Sequence, residues 1–229
     1  MDKTTKWFIV GFIVLALVVV VVAGVMSGGF SGPASGTPSS TFVATTVPAL
    51  TSADWTRGSA NAKVSFVEYG DFECPACAEY APIVSQLVTA YGDRVLFSFR
   101  NFPLYSIHPN AGISSQAAEA AGLQGKFWEM HDLLYQKQGE WASAVPTAVV
   151  SQYFNGYATS LGLNVSKFDT DINSSGVLNK VQADVTSGNA AQIDHTPTFF
   201  INLKQIQNPT NYNEFKAVID AALASSTAG

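Results

Sequence analysis

Phe66–Tyr80, FVEYGDFECPACAEY, decides how this sequence is read. Lys63–Tyr69 (KVSFVEY) has the β-branched and aromatic content of a buried strand. The turn Gly70-Asp71-Phe72-Glu73 delivers the chain into Cys74-Pro75-Ala76-Cys77. From there a helix runs to Tyr91, with Pro82 set to kink it and Gly92 to end it. Val95–Phe102 (VLFSFRNF) alternates like a second strand. Strand, helix, strand is a βαβ unit, which implies a parallel pair.

Further along, Ser114–Leu123, Lys126–Gln136, Ala148–Leu161 and Val177–Val185 read as helices. Thr198–Asn202 (TFFIN) returns to strand character. Asn213–Ala224 sets Phe215, Val218, Ile219, Ala222 and Leu223 on one helical face. The order β-α-β, helical block, β-β-α predicts an α/β domain whose sheet is covered on both faces and carries an inserted helical cap.

Ahead of this domain, Trp7–Met26 holds no charged residue. Roughly 20 apolar residues cross a bilayer core as a helix. Lys3 and Lys6 precede the run, and the next basic residue is Arg57. The positive-inside bias keeps residues 1–6 cytoplasmic and sends the rest across the membrane. The alternative is a cleaved signal peptide, whose apolar region is usually about 7–15 residues. Residues 27–52, rich in Gly, Ser, Thr and Pro and without charge, read as a flexible tether whose end Val43, Val47 and Leu50 could pack on the domain. The domain is then 53–229, with the helical insertion at about 108–190. The expected location is a single-pass anchor in the cell membrane at 7–26, with the domain extracytoplasmic.

A formal charge of −5, from 12 Lys+Arg and 17 Asp+Glu, argues against a nucleic-acid partner. The chain has two cysteines, two residues apart, so they cannot staple distant segments. With Cys74 at the helix N-cap and Pro75 at the first helical position, Cys74 meets unpaired N–H groups and the positive end of the helix dipole. Both favour thiolate. Cys77 lies on the same face, within bonding reach, as the shielded resolving thiol. The pair reads as a redox-active disulfide that needs no other cofactor. A substrate thiolate would attack Cys74 and expel Cys77; a second would expel Cys74. The competing readings are half a zinc site with two of His108, His131 and His195, and an inert structural disulfide.

FVEYGDFECPACAEY, RNFPL with His108-Pro109, GKFWEMHDLLY, and Thr196-Pro197-Thr198-Phe199-Phe200 together resemble the DsbA-like branch of the thioredoxin superfamily, in its membrane-anchored form. The resemblance covers about Asp54 to Ala224 and implies a thioredoxin-like fold. It implies a cis bond at Thr196–Pro197 facing the cysteines, and a substrate-docking surface from Thr196, Pro75, Ala76 and Phe72. It also places an acidic residue at Glu68. Sharing a strand face with Val64 and Phe66, Glu68 is expected to be buried, with a raised pKa, and able to relay the Cys77 proton. Otherwise it is a strand-end acid reaching solvent, just as Pro197 could be an ordinary turn proline. The implied activity is disulfide formation in cysteine-containing secreted or surface proteins, with a membrane redox partner resetting the pair.

Several residues depart from the pattern. Pro75-Ala76 lacks the histidine found beside the second cysteine in strongly oxidising relatives, while His195 could bring a positive charge instead. Glu73 opposes thiolate formation. Leu203-Lys204 replaces an Asn-Gly type of turn, so a distorted final hairpin is expected. A reductase or isomerase, and a non-catalytic chaperone or metal carrier, remain open alternatives. His131 and Trp128 read as structural. Asn164-Val165-Ser166 and Asn173-Ser174-Ser175 match the N-glycosylation pattern.

Overall fold

The computed structural model describes residues 42–144 and 147–227. The expected membrane helix at 7–26, and 27–41 of the tether, lie outside them. Among the described residues no helix is long and apolar enough to cross a membrane. The elements are β1 (Phe42–Thr46), β2 (Trp55–Gly58), β3 (Val64–Gly70), α1 (Pro75–Tyr91), β4 (Val95–Asn101), α2 (Ala111–Gly122), α3 (Phe127–Gln136), α4 (Gln138–Trp141), α5 (Thr147–Ser160), α6 (Val165–Asp171), α7 (Ser175–Ala190), β5 (Thr198–Ile201), β6 (Lys204–Ile206) and α8 (Tyr212–Thr227).

The strands form one sheet in the order β1-β6-β5-β3-β4-β2. The βαβ unit is present, since β3 and β4 pair in parallel with Phe66 opposite Phe97 and Glu68 opposite Phe99. β5 lies antiparallel on the other side of β3, placing Phe199 beside Glu68. Strand side chains alternate between faces. Val64, Phe66, Phe97, Phe199 and Ile201 therefore pack against Leu87 of α1 and Phe215 and Ile219 of α8. Val67, Tyr69 and Phe200 face the opposite side with Val47, Phe102 and Ile193. The helical insertion closes over the end of the sheet around Phe72, Phe99, Phe127, Leu134, Trp141 and Phe154. Rings such as Phe66 and Phe199, with centroids 5.5 Å apart, fill the first core; truncating one to Ala would cost about 3–5 kcal/mol.

Two strands were not expected. β1 belongs to the stretch read as tether, so that reading is corrected at Phe42–Thr46, while Val47 and Leu50 after it pack on the domain as expected. β1 adds to the open edge of β6, Val47 is buried, and the buried Arg100 guanidinium gathers Asp54 at 2.7 Å and the carbonyls of Pro48 and Ala49. β2 closes the other edge along β4.

The final hairpin is tight, not distorted. Asn202 and Leu203 both take positive φ, at 48° and 66°, which is the geometry of a two-residue hairpin loop. Asn202 also exchanges hydrogen bonds with the Ser65 backbone on β3. Asn164 and Ser174, met as parts of sequons, cap α6 and α7 through their side chains.

Candidate active site

Cys74 sits at the N-cap of α1 in extended conformation, with Pro75 next to it inside the helix. Both cysteines are free thiols and buried, Cys74 retaining 7% of its exposure and Cys77 none. Their chemistry is split. The Cys77 thiol donates to the Cys74 sulfur, and together with the Thr196 hydroxyl and the Cys77 and Ala76 N–H groups it pulls Cys74 down to about 5 against the opposing effect of burial. Cys77 goes the other way: burial, then its bond to Cys74 and the nearby Glu68, push its thiol well up. The Cys74 sulfur is 3.5 Å from the Thr196 carbonyl, a contact that serves the protonated thiol. The Thr196 hydroxyl, buried and without another hydrogen-bond partner among the described residues, favours the charged form of the sulfur.

The Thr196–Pro197 bond is cis, and its loop faces Cys74 through that contact. Asn208 holds the loop by donating to the Pro197 carbonyl at 2.6 Å. Pro75 is exposed and Ala76 half-buried, so both offer surface beside Cys74. Phe72 does not. It is fully buried, its ring 5.0 Å from those of Phe99 and Tyr135, because the apolar insertion packs down on the turn. Its expected part in substrate docking is therefore corrected to core packing.

Glu68 is enclosed, at 3% exposure, on the face shared with Val64 and Phe66. Its Oε1 has no partner among the described residues. Burial lifts its pKa to about 8; Arg57 opposes this and the Cys74 charge adds to it. The solvent-reaching alternative is thereby excluded.

Several residues that the sequence reading passed over position the pair. Fully buried Asp71 accepts from the Glu73 and Leu104 N–H groups and from His108 Nδ1 at 2.7 Å, tying the turn to the following loop. Gln138 of α4 donates to the Phe72 and Cys74 carbonyls at 2.8 and 2.9 Å, pinning the helix start to the insertion. A polar residue next to a predicted helix was too weak a signal to single it out. Glu73 turns its carboxylate to the Asn110 N–H, and its own pKa is raised by burial. The three histidines of the zinc reading are each engaged elsewhere: His108 with Asp71, His131 with Asp132, and exposed His195 with Asp194. His131 lies in a ring of Phe72, Phe99, Phe127, Trp128 and Tyr135, and Trp128 is stacked under Arg57.

Two sulfurs so close and so differently protonated, at a helix start facing a cis-proline loop, define a dithiol site on a thioredoxin-like fold. The chain belongs to the thioredoxin family: the family model described as Thioredoxin matches residues 51–221. Among curated proteins it is 36% identical over 180 residues to a Na(+)/H(+) antiporter NhaA 1 of Salinispora arenicola, and 38% over 160 residues to one of Mycolicibacterium gilvum. These matches cover 79% and 68% of this chain but 26% and 24% of the relatives, so the chain spans about a quarter of their length. Among solved structures it is similar to oxidised BdbD from Bacillus subtilis, with TM-score 0.67, 23% identity, and 79% of this chain and 97% of that one covered. It is also similar to alpha-DsbA1 of Wolbachia pipientis, with TM-score 0.65, 19% identity, and 76% and 93% covered. At those identities the two structures speak to the fold.

Proposed function

We propose that this protein is an extracytoplasmic thiol–disulfide oxidoreductase that forms disulfides in secreted or surface proteins through Cys74 and Cys77. The observation that carries the reading is the split between the sulfurs. In the oxidised protein a substrate thiolate attacks Cys74, and Cys77 leaves and takes up a proton. A second substrate thiolate then attacks the mixed disulfide at its own sulfur and expels Cys74, which is a good leaving group at a pKa of about 5. The substrate gains a disulfide and the enzyme is left as a dithiol. A stabilised Cys74 thiolate favours that reduced form, which makes the disulfide oxidising.

Thr196, Pro197, Pro75 and Ala76 form the rim against which a substrate backbone docks. Glu68 receives or supplies the Cys77 proton within the protein. The N-terminal segment 7–26 anchors the domain, and a membrane redox partner withdraws the electrons. The antiporter name of the relatives is in keeping with a domain held at a membrane.

The test is the reduction potential of the Cys74–Cys77 pair in glutathione buffers. A value above about −180 mV supports an oxidase. One near about −270 mV, where thioredoxin lies, would reassign the protein as a reductase. Failure to form the disulfide at all would leave a binding module.

A further inference from the structure

Each residue of the turn Asp71-Phe72-Glu73-Cys74 is bonded to the helical insertion or to the loop that leads into it. The Leu104 N–H and His108 Nδ1 meet the Asp71 carboxylate, and the Tyr135 hydroxyl donates to the Asp71 carbonyl at 3.4 Å. The Asn110 N–H donates to the Glu73 carboxylate. Gln138 holds two of the four at once, its Nε2 donating to the Phe72 carbonyl at 2.8 Å and the Cys74 carbonyl at 2.9 Å. We propose that Gln138 is a positioning residue of the exchange reaction, which sets the redox poise of the pair by holding the two sulfurs side by side in the dithiol.

The place it takes is one that the helix cannot secure for itself. The Cys74 carbonyl accepts the first bond of α1, from the Ala78 N–H at 3.2 Å. Phe72 lies ahead of the N-cap, so the helical ladder does not reach its carbonyl. An amide nitrogen with two protons spans both acceptors and fixes the chain on either side of Glu73. Gln138 is itself firmly seated. Three residues on, Trp141 is fully buried, its Nε1 donates to the Leu134 carbonyl at 3.0 Å, and its ring lies 5.3 Å from that of Phe154. α4 therefore carries the packing of the insertion to the start of α1.

The consequence differs between the two redox forms. In the disulfide a covalent bond keeps the sulfurs together whatever the turn does. In the dithiol their approach depends on the backbone of the turn, and Cys77 can stabilise the Cys74 thiolate only while held within reach. That hydrogen bond is the largest influence drawing Cys74 down. The other titratable groups around the pair are Glu68 on β3, Asp71 and Glu73 in the turn, and His108, which Asp71 holds. Gln138 is uncharged, and Glu140 on the same short helix is paired with Lys137. Losing the amide thus loosens the dithiol and spares the disulfide, which makes the pair less oxidising.

This inference rests on the exchange chemistry proposed above, and redox titration of the full chain in glutathione buffers separates the two. Gln138→Met keeps the length of the side chain and removes both donors. Its equilibrium constant for reduction by glutathione should fall about tenfold, which is about 30 mV. The Cys74 pKa, read from thiolate absorbance, should rise by about one unit. Gln138→Asn draws the amide back by one methylene and should move both readings the same way; it serves should Gln138→Met fail to fold. A clasp that is structural only would weaken both redox forms alike. An unchanged potential and an unchanged Cys74 pKa in a folded variant would therefore overturn the positioning role and leave the function standing. A wild-type protein that forms no Cys74–Cys77 disulfide would overturn the function itself, and this inference with it.

Discussion

Of the three glutamates buried among the described residues, Glu68 and Glu119 are kept in opposite ways. Glu119 of α2 lies where the insertion meets the sheet, and both of its oxygens are used. Oε2 accepts from Trp55 Nε1 at 2.6 Å and Oε1 from Asn101 Nδ2 at 2.7 Å, with the Lys180–Asp184 pair next to them. Burial still raises it, but only to about 7, because Lys180, Trp55 and Asn101 favour the charge. Glu68 is buried as deeply, has Oε1 unpartnered, and faces two sulfurs. A buried acid that is paired on both oxygens holds elements together. One left unpaired beside a reacting atom is a strain that packing alone would not select.

The largest effect expected of this contrast is on stability. Glu119→Ala strands the Trp55 and Asn101 donors and opens a void, so denaturant melts should show a loss of about 3 kcal/mol. Thiol exchange at a temperature where the variant is folded should match the parent. A rate loss there would put Glu119 in the chemistry and erase the distinction.

Glu68→Gln should do the reverse. The folded pKa of about 8 lies above the ordinary 4.5, so the folded protein holds a proton that the unfolded chain has lost. Stability from this group therefore falls as pH climbs from about 4.5 to about 8 and is level beyond. Glutamine removes that decline but brings an amide with few partners, for a net gain of about 2 kcal/mol above pH 8 and little change at pH 4. Exchange should slow where Cys77 must lose its proton. Equal melts at pH 4 and pH 9 in parent and variant would show that Glu68 is ionised at no cost.

A smaller quantity sharpens the same division. With Cys74 ionised above about pH 5 and Cys77 protonated, reduction takes up two electrons and one proton. The potential should then fall by about 30 mV per pH unit between pH 6 and 8, equivalent to about 1.4 kcal/mol. A slope near twice that would mean that Cys74 is a neutral thiol in this range. The smallest effect lies far from both acids, at Leu203, whose φ of 66° disfavours a branched side chain. Leu203→Gly relieves that strain but loses packing against the Val47 and Phe200 cluster, so a gain below about 1 kcal/mol is expected. A loss of more than about 1 kcal/mol would mean that the packing outweighs the backbone.

Much of this was legible locally. β3, the CxxC turn, α1 and β4 each carry their own periodicity or breaker, and the structure differs from the reading of them by a residue or so. β1 was not legible, since FVATT sits in a run of small polar residues and becomes a strand only by pairing with the open edge of β6. β2 is four residues long and is held by β4 in the same way. Tyr135 could have been found: Phe127, Met130, His131, Leu134 and Tyr135 fall at i, i+3, i+4, i+7 and i+8, and a tyrosine on a buried face needs a partner for its hydroxyl.

The sequence by itself determined the nucleophile, because the CxxC spacing sets the Cys77 thiol, and then the first helical N–H groups, beside an N-cap Cys74 whose pKa they lower. It also determined the burial of Glu68, because alternation along a strand assigns the face. Only the tertiary structure decided which buried acid was left unpaired. Partners such as Trp55 for Glu119, or Gln138 for the Cys74 carbonyl, come from elements about 60 residues away, and their pairing follows from how the insertion packs on the sheet.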